Sequence, residues 1–163
     1  MAKRILVVLT ERTLGDGVSA AAEAARLARE TGGLVRLMYI RLLPPARVDR
    51  YDRVVADADR EMARIAAAAD ERMARIAADL YGVPVERVVR FGRLGEEVVN
   101  EAAAIGADLV ALASPARPSL VDRARAWYVA SVALGSSVPV LLWPARRERR
   151  AGRREVVAVG ARL

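Results

Sequence analysis

The chain has 163 residues and contains neither cysteine nor histidine. Its 27 basic and 20 acidic side chains give a formal net charge of +7, and 54% of its residues are hydrophobic. These numbers exclude disulfides, thiolate metal sites, cysteine nucleophiles and every catalyst that needs an imidazole, and they predict a single domain that can bury a core. The lack of cysteine also fits a cytoplasmic protein.

The positive charge is concentrated near the C-terminus. Residues 146–154 (RRERRAGRR) carry a charge of +5, which leaves 21 basic and 19 acidic residues elsewhere. Such a segment either binds nucleic acid, an anionic lipid surface or an acidic partner, or is a solvated connector. It has no aromatic residue to stack on bases, which argues against single-strand binding by stacking. We expect no nucleic-acid binding, and the only candidate for it is this segment. No apolar stretch approaches the roughly 20 residues of a membrane span, and we expect none.

The N-terminal part of the chain predicts a strand, a helix and a second strand. Residues 4–9 (RILVVL) are apolar on both faces, as in a strand buried inside a parallel sheet. A polar loop follows at residues 10–17 and leads into a helix, with Asp16 or Ser19 as its cap. The second strand is predicted at residues 34–40 (LVRLMYI).

A long amphipathic helix is predicted at about residues 51–80. The sequence MARIAA occurs in it twice, at residues 62–67 and 73–78. The 11-residue offset corresponds to about three helical turns, so both copies lie on one face. This apolar face indicates a helix laid on a sheet, and the alternative is a groove for a partner.

The second half of the chain continues the alternation. Its predicted elements are a strand at 86–91, a helix at 96–105, a strand at 108–113, a helix from 119 to about 134, and a strand at 138–143. This order predicts an α/β protein with an open, mainly parallel sheet and helices on both faces. Pro139 lacks an N–H, which favours an edge strand or a strand start there.

The last apolar run, residues 155–159 (EVVAV), follows the arginine-rich segment. It predicts an extra C-terminal edge strand beside the fifth strand, either in its own subunit or in that of a partner. The chain therefore divides into an α/β domain at residues 1–144 and a tail at residues 145–163.

The order of these elements resembles a known family. Residues 91–114 (FGRLGEEVVNEAAAIGADLVALAS) are similar to the middle of a universal stress protein domain, where a strand ending in glycine and a short helix precede G-A-D-L-I-V-M-G-S. Residues 3–10 (KRILVVLT) resemble the first strand of that family, and residues 137–142 (SVPVLL) resemble its final C-P-V-L-V-V. The similarity covers about residues 3–144. It implies a Rossmann-like domain of the adenine nucleotide alpha hydrolase type, with a five-stranded parallel sheet of order 3-2-1-4-5.

The resemblance also implies a ligand cleft between the first and fourth strands. Loops 10–17 and 114–119 face this cleft, so Ser114 and Arg117 are expected to line it. Arg117, Arg123 and Arg125 near the start of the last helix either bind an anion or form a solvated charged face.

Many members of the family bind ATP in this cleft through the pattern G-x2-G-x9-G-[S/T]. In the matching register this chain has Ala113 and Ala116 at the first two glycines, Ala126 at the third and Trp127 at the hydroxyl position. Thr10 replaces the aspartate that ends the first strand in nucleotide-binding members. Trp127 is either a core residue or a plug in a vestigial cleft.

These replacements oppose phosphate binding. Glycines let the backbone approach phosphate oxygens, whereas each alanine adds a Cβ at a close approach. Pro115 and Pro118 remove two backbone donors from the same loop. We therefore expect a family member of the non-ATP-binding type that needs no cofactor. The alternative is a member that binds ATP or AMP through a modified loop.

The resemblance implies a homodimer that pairs through the fifth strand. The expected interface residues are Val138, Val140, Leu142 and Trp143. No carboxylate pair, metal-ligand cluster or nucleophile–base spacing is evident, so we expect no catalysis and no metal. The predicted function is a non-enzymatic, dimeric stress-response module, and a weaker alternative is a basic protein that associates with nucleic acid through residues 146–154.

Overall fold

The structure is a computed structural model, and it describes residues 3–15, 17–45, 47–48, 54–56, 58–115, 119–121, 123–124 and 138–144. Its strands are β1 (Arg4–Leu9), β2 (Leu34–Arg41), β3 (Arg47–Val48), β4 (Val54–Ala56), β5 (Val85–Phe91), β6 (Leu109–Ser114) and β7 (Val140–Pro144). Its helices are α1 (Val18–Thr31), α2 (Ala58–Ala78) and α3 (Leu94–Ile105). Residues 120–121 and 123–124 are also helical.

Five of these strands form one parallel sheet in the order β5-β2-β1-β6-β7. In the order of the chain they are the third, second, first, fourth and fifth strands of the sheet, so the predicted order 3-2-1-4-5 is confirmed. The chain first builds the sheet outward from β1 through β2 to β5, and then returns to the other side of β1 for β6 and β7. The strand order therefore reverses between β1 and β6.

Helices cover the two faces of the sheet because its central strand is apolar on both sides. Ile5, Val7 and Leu9 of β1 pack with α1 and α2, whereas Leu6 and Val8 pack with α3 on the opposite face. All five side chains have no exposed surface. Alternation of side chains along a strand explains this division between the two faces.

The first helix begins differently from the prediction. Its N-cap is Gly17, which makes no side-chain capping bond, and Ser19 lies inside the helix. Asp16, the other expected cap, lies outside the described residues. The helix ends as expected, because Gly32 adopts a left-handed conformation with φ of 64° that glycine tolerates best.

The long helix begins at Ala58, so the prediction of a helix from residue 51 is wrong at its start. The preceding chain contains β3 and β4, which pair as a short antiparallel ladder. The helical spacing of apolar residues includes Val55 of β4, but pairing between β3 and β4 prevails there, and β-branched valines contribute to both short strands. The MARIAA repeat lies on the sheet as expected, with Ile65 and Ile76 buried at equivalent positions.

The fifth strand of the sheet starts two residues later than expected. Pro139 precedes β7, and its carbonyl oxygen accepts a hydrogen bond from the N–H of Val110 at 3.0 Å. The missing N–H of proline thus lies at the start of the strand, where the sequence favoured it. The expected last strand at 155–159 and the whole of the tail lie outside the described residues.

A buried carboxylate links α3 to two strands of the sheet. Glu101 is 2% exposed, and its two oxygens accept hydrogen bonds from Arg36 of β2 and from Arg90 of β5. The Arg90 Nε lies 2.9 Å from Glu101 Oε2, and the Arg36 Nε lies 2.8 Å from Glu86 Oε2. The four side chains form a continuous network of alternating charge on the α3 face of the sheet.

These contacts set the protonation state of the buried carboxylate. Burial raises the pKa of Glu101, but the hydrogen bonds and charges of Arg90 and Arg36 outweigh it, so the pKa lies below its ordinary value. On the other face, Arg87 of β5 donates to Asp70 of α2 at 2.9 Å and lowers the pKa of that carboxyl in the same way. Strand β5 is thereby tied by ion pairs to a helix on each face.

Glu101→Gln tests the network through its dependence on pH. Above about pH 5 the variant should lose about 1–3 kcal/mol of unfolding free energy, because two guanidinium groups lose their shared negative charge. The folded pKa of Glu101 lies below the unfolded value of about 4.3, so this stabilisation disappears as the pH falls through the folded pKa. Urea unfolding from pH 7 down to pH 2 should therefore show the two proteins converging in stability.

Glu96→Gln is the matched control, since Glu96 is exposed on the same helix and lies 3.5 Å from Arg93. It should change the unfolding free energy by less than about 0.5 kcal/mol at any of these pH values. An equal loss in the two variants, or a Glu101→Gln defect that persists at pH 2, would contradict the role given to the buried carboxylate.

Candidate functional site

The candidate site lies where β1 and β6 end side by side. Val8 of β1 is paired with Leu112 of β6. Continuing this register puts Thr10 level with Ser114, one step beyond Ala113. In parallel sheets, a crevice for ligands opens at the carboxyl ends of two adjacent strands where the strand order reverses. The structure thus brings together Thr10, Ala113 and Ser114, as the sequence predicts.

Thr10 is held in a turn that satisfies its own polar groups. The Thr10 carbonyl oxygen accepts hydrogen bonds from the N–H groups of Thr13 at 3.0 Å and Leu14 at 2.8 Å. The Thr13 hydroxyl oxygen accepts the N–H of Thr10 at 2.9 Å and lies 3.2 Å from the Thr10 hydroxyl oxygen. Thr13 is only 2% exposed. The end of β1 therefore offers an uncharged hydroxyl that already has a partner inside its own turn.

Ala113 is a core residue as well as the first position of the expected loop. It is 6% exposed, packs with the cluster under α1 and α2, and is paired with Trp143 of β7. Ser114 and Pro115, which follow it, are each half-buried. The Cβ of Ala113 is therefore enclosed by apolar neighbours. Pro115, two residues later, has no N–H to donate to an anion.

The remaining predicted cleft residues lie outside the described residues. They are Ala116, Arg117, Ala126 and Trp127, together with Arg125. Arg123 is described and exposed, and its backbone N–H donates to the carbonyl oxygen of Ser119 at 3.0 Å. The two interpretations of Trp127, as a core residue or as a plug, both stay predictions.

A group of polar side chains near the carboxyl end of β2 has no counterpart in the sequence-based prediction. Tyr39 is 3% exposed and lies under α1 and α2. The Arg41 Nη1 lies 3.5 Å from Glu11 Oε1 of the loop after β1. Burial raises the pKa of Tyr39, and the charge of Arg41 opposes it without cancelling it. The alternation of Tyr39 and Arg41 on one face of β2 is the signal that could have found this group.

Strand β7 forms one edge of the sheet. Because Val110 donates to the carbonyl of Pro139, the alternation of a parallel ladder turns the backbone groups of Val140 and Leu142 away from β6. No described strand pairs with that outer side. Val138, Val140 and Leu142 are half-buried against the α3 cluster, and Trp143 packs on the opposite face. Of the predicted interface residues, Val140, Leu142 and Trp143 thus lie on β7, whose outer side is unpaired within the described sheet, and Val138 lies two residues before it.

The described part of the chain has no group of three acidic side chains positioned to hold a metal ion. None of the described helices is both long and apolar enough to cross a membrane.

An open parallel sheet, helices on both faces, and a reversal of strand order beside paired strand ends define a Rossmann-like α/β domain. A more specific assignment comes from a family model. The model of the universal stress protein family matches residues 1–144, and the chain therefore belongs to the universal stress protein family. The comparison with curated proteins gave no match.

Solved structures of this family share the fold. A universal stress protein family member from Burkholderia pseudomallei is 22% identical, with a TM-score of 0.52 over 88% of this chain and 97% of that chain. UspA from Lactobacillus plantarum is 17% identical, with a TM-score of 0.59 over 89% and 98%. A universal stress protein in complex with cAMP is 16% identical, with a TM-score of 0.55 over 90% and 100%.

Gly17→Ala tests the close packing behind the candidate cleft. A Cβ at position 17 would lie 2.3 Å from Leu9 Cδ2 and 3.1 Å from the Thr13 carbonyl oxygen. Leu9 is fully buried and cannot move aside freely, so the variant should lose about 1–3 kcal/mol of unfolding free energy. Chemical denaturation measures the loss.

Gly15→Ala in the same loop is the control, because nothing lies within 4 Å of a Cβ built there. It should leave stability unchanged or raise it by up to about 1 kcal/mol through the unfolded chain. Equal effects of the two alanines would show that loop flexibility, and not contact with Leu9, governs this site.

Proposed function

We propose that this chain is a non-enzymatic universal stress protein module that acts through protein contacts, with a degraded ATP phosphate loop. The observation that carries the proposal is the buried methyl group of Ala113 at the first glycine position of the loop. Thr10 supports it, since this residue is uncharged and bonded within its own turn where nucleotide-binding members have an aspartate. The lack of histidine and cysteine supports a module that does little chemistry, and the lack of cysteine fits action in the cytoplasm.

Ala113 opposes the family's mode of phosphate binding for a packing reason. A phosphate loop needs N–H groups that converge on the oxygens, with no side chain between. The Cβ of Ala113 packs in the core under α1 and α2. It cannot move away from the loop without leaving a cavity in that core. Pro115 then removes a donor two residues later.

A second candidate is nucleotide binding through a modified loop. The observation in its favour is that one structural neighbour was solved in complex with cAMP. The two candidates differ in what they require of the cleft. Nucleotide binding needs donors for phosphate at positions that here carry alanine, proline and threonine.

Titration calorimetry with ATP–Mg²⁺ at millimolar nucleotide separates the two candidates. We expect no saturable site with a micromolar dissociation constant, because the loop lacks the glycines and two of the backbone donors. A saturable heat signal in the micromolar range would refute the degraded-loop proposal and establish the second candidate.

A restored variant is the positive control for this titration. It carries glycine at positions 113, 116 and 126 and replaces Trp127 with serine. A gain of nucleotide affinity would show that the substituted residues block the loop and would support Trp127 as a plug. A folded variant without any gain would favour Trp127 as plain core packing.

We propose further that the module is a homodimer formed through β7. Within the described sheet the outer backbone groups of Val140 and Leu142 are unpaired, which supports this, because an apolar edge strand with unpaired N–H and C=O groups is prone to pair with another strand. The family resemblance points to the same edge. Binding of nucleic acid through residues 146–154 stays a separate prediction, since those residues lie outside the described part of the chain.

Sedimentation at tens of micromolar protein should show a dimer that Leu142→Lys converts to monomer, because a buried ammonium at the pairing edge has no partner. Val88→Lys is the matched control. Val88 is also half-buried against the α3 cluster, but on the opposite edge strand β5. Both variants should lose unfolding free energy, but only Leu142→Lys should lower the sedimenting mass from that of a dimer to that of a monomer. A monomeric wild-type protein would refute the dimer.

A further inference from the structure

We propose that residues 156–159 of the chain's own C-terminal tail dock on Leu120 and Val121, in the helical segment that follows β6. These four residues (VVAV) are apolar and lie beyond the arginine-rich segment 146–154. Their sequence pattern predicts an edge strand beside β7, but in the dimer proposed above the partner occupies that edge. In this respect the inference rests on the proposed function. It does not depend on the outcome of the ATP titration.

The docking surface is a pair of adjacent apolar side chains that solvent reaches. Leu120 is 82% exposed and Val121 is 56% exposed, and Leu120 is the most exposed large apolar residue in the described part of the chain. The N–H of Arg123 donates to the carbonyl oxygen of Ser119 at 3.0 Å, which is the hydrogen bond of a helical turn. This turn fixes the backbone that carries the pair. Adjacent exposed apolar residues favour contact with another segment more than single ones do.

The tail begins close to this pair. Pro144, the last residue of β7, is paired in register with Ser114, the last residue of β6. Neighbouring strands lie about 4.8 Å apart. Leu120 follows Ser114 by six residues, which span at most about 20–22 Å. The distance from the start of the tail to Leu120 is therefore at most about 27 Å.

The connector between β7 and the apolar run is long enough to cover this distance. Residues 145–155 number 11, and a chain of that length reaches up to about 36–40 Å. A segment tethered by a short connector has an effective concentration in the millimolar range at a site that the connector can reach. A weak apolar contact is then enough to populate the docked state.

A second pair of exposed apolar residues lies farther across the sheet. Leu42 and Leu43 follow β2 and are 66% and 62% exposed. Strands β6 and β1 lie between β7 and β2, so the tail would have to cross the ends of both strands to reach this pair. We therefore assign the tail to Leu120 and Val121, and the pair after β2 serves as the comparison.

Thiol labelling tests the contact, because the chain has no cysteine of its own. Val121→Cys places a single thiol in the docking surface, and its reaction with uncharged iodoacetamide measures how exposed it is. The thiol should react at least about twofold more slowly in the full chain than in a chain that ends at Arg154, as expected for a tail docked half of the time. Residues 155–163 contain one glutamate and one arginine, so this truncation preserves the net charge.

Leu43→Cys is the matched control, since it places a thiol in the second exposed apolar pair. Its reaction rate should be the same in the full and the shortened chain. In the full chain, adding Val156→Asp to Val121→Cys should restore the fast reaction, because a carboxylate does not leave water for an apolar contact. Adding Val156→Ile instead should keep the thiol protected.

Equal rates for Val121→Cys in the full and the shortened chain would overturn the proposal, and so would protection of Leu43→Cys alone. Protection should persist in the Val121→Cys protein that also carries Leu142→Lys, the change expected to give a monomer. Its loss there would assign the tail to a second copy and refute docking within one chain. Sedimentation of the same samples tests the dimer separately, so a monomeric protein with a protected thiol would refute the dimer alone.

Discussion

The complete burial of β1 is the constraint on which the other parts of the fold depend. Its five apolar residues have no exposed surface, and it pairs with β2 on one side and β6 on the other. A strand buried on both faces demands a helix layer on each face, and parallel neighbours demand long crossovers that supply those helices. Because β1 pairs with β2 on one side and β6 on the other, the strand order reverses beside it. The central position of β1 therefore explains both the buried core and the location of the candidate cleft.

The sequence predicted the sheet well because its strands carry strong and simple signals. Residues 5–9 and 109–113 are continuous apolar runs, and their short length and flanking residues favour buried strands. The start of the long helix was wrong because a short ladder formed by β3 and β4 depends on pairing between residues, which a linear pattern does not display. The cap of α1 was missed for a similar reason, since Gly17 is selected by contact with Leu9.

The candidate site likewise contains some features that the sequence predicted and others that it did not. The spacing of the family motif assigned Thr10 and Ala113 to one edge, and in the structure both residues lie at the ends of the paired strands β1 and β6. The group around Tyr39 and Arg41 was not predicted, since it joins β2, the loop after β1 and α2, and no motif connects them. The turn that holds Thr10 was not predicted either. It depends on a hydrogen bond to the buried Thr13, which a sequence pattern does not show.

The two edges of the sheet have opposite chemical character, and this difference limits how copies of the chain can assemble. Edge strand β5 carries Glu86, Arg87 and Arg90, whose charges are held by pairs on both faces of the sheet. Edge strand β7 is apolar, and no strand among the described residues pairs with its outer side. Joining β7 of one copy to β5 of the next would repeat without end and give a filament, and the charges on β5 oppose that contact. When two β7 edges pair around a twofold axis, neither copy has an unpaired β7 edge left. Assembly then stops at the dimer.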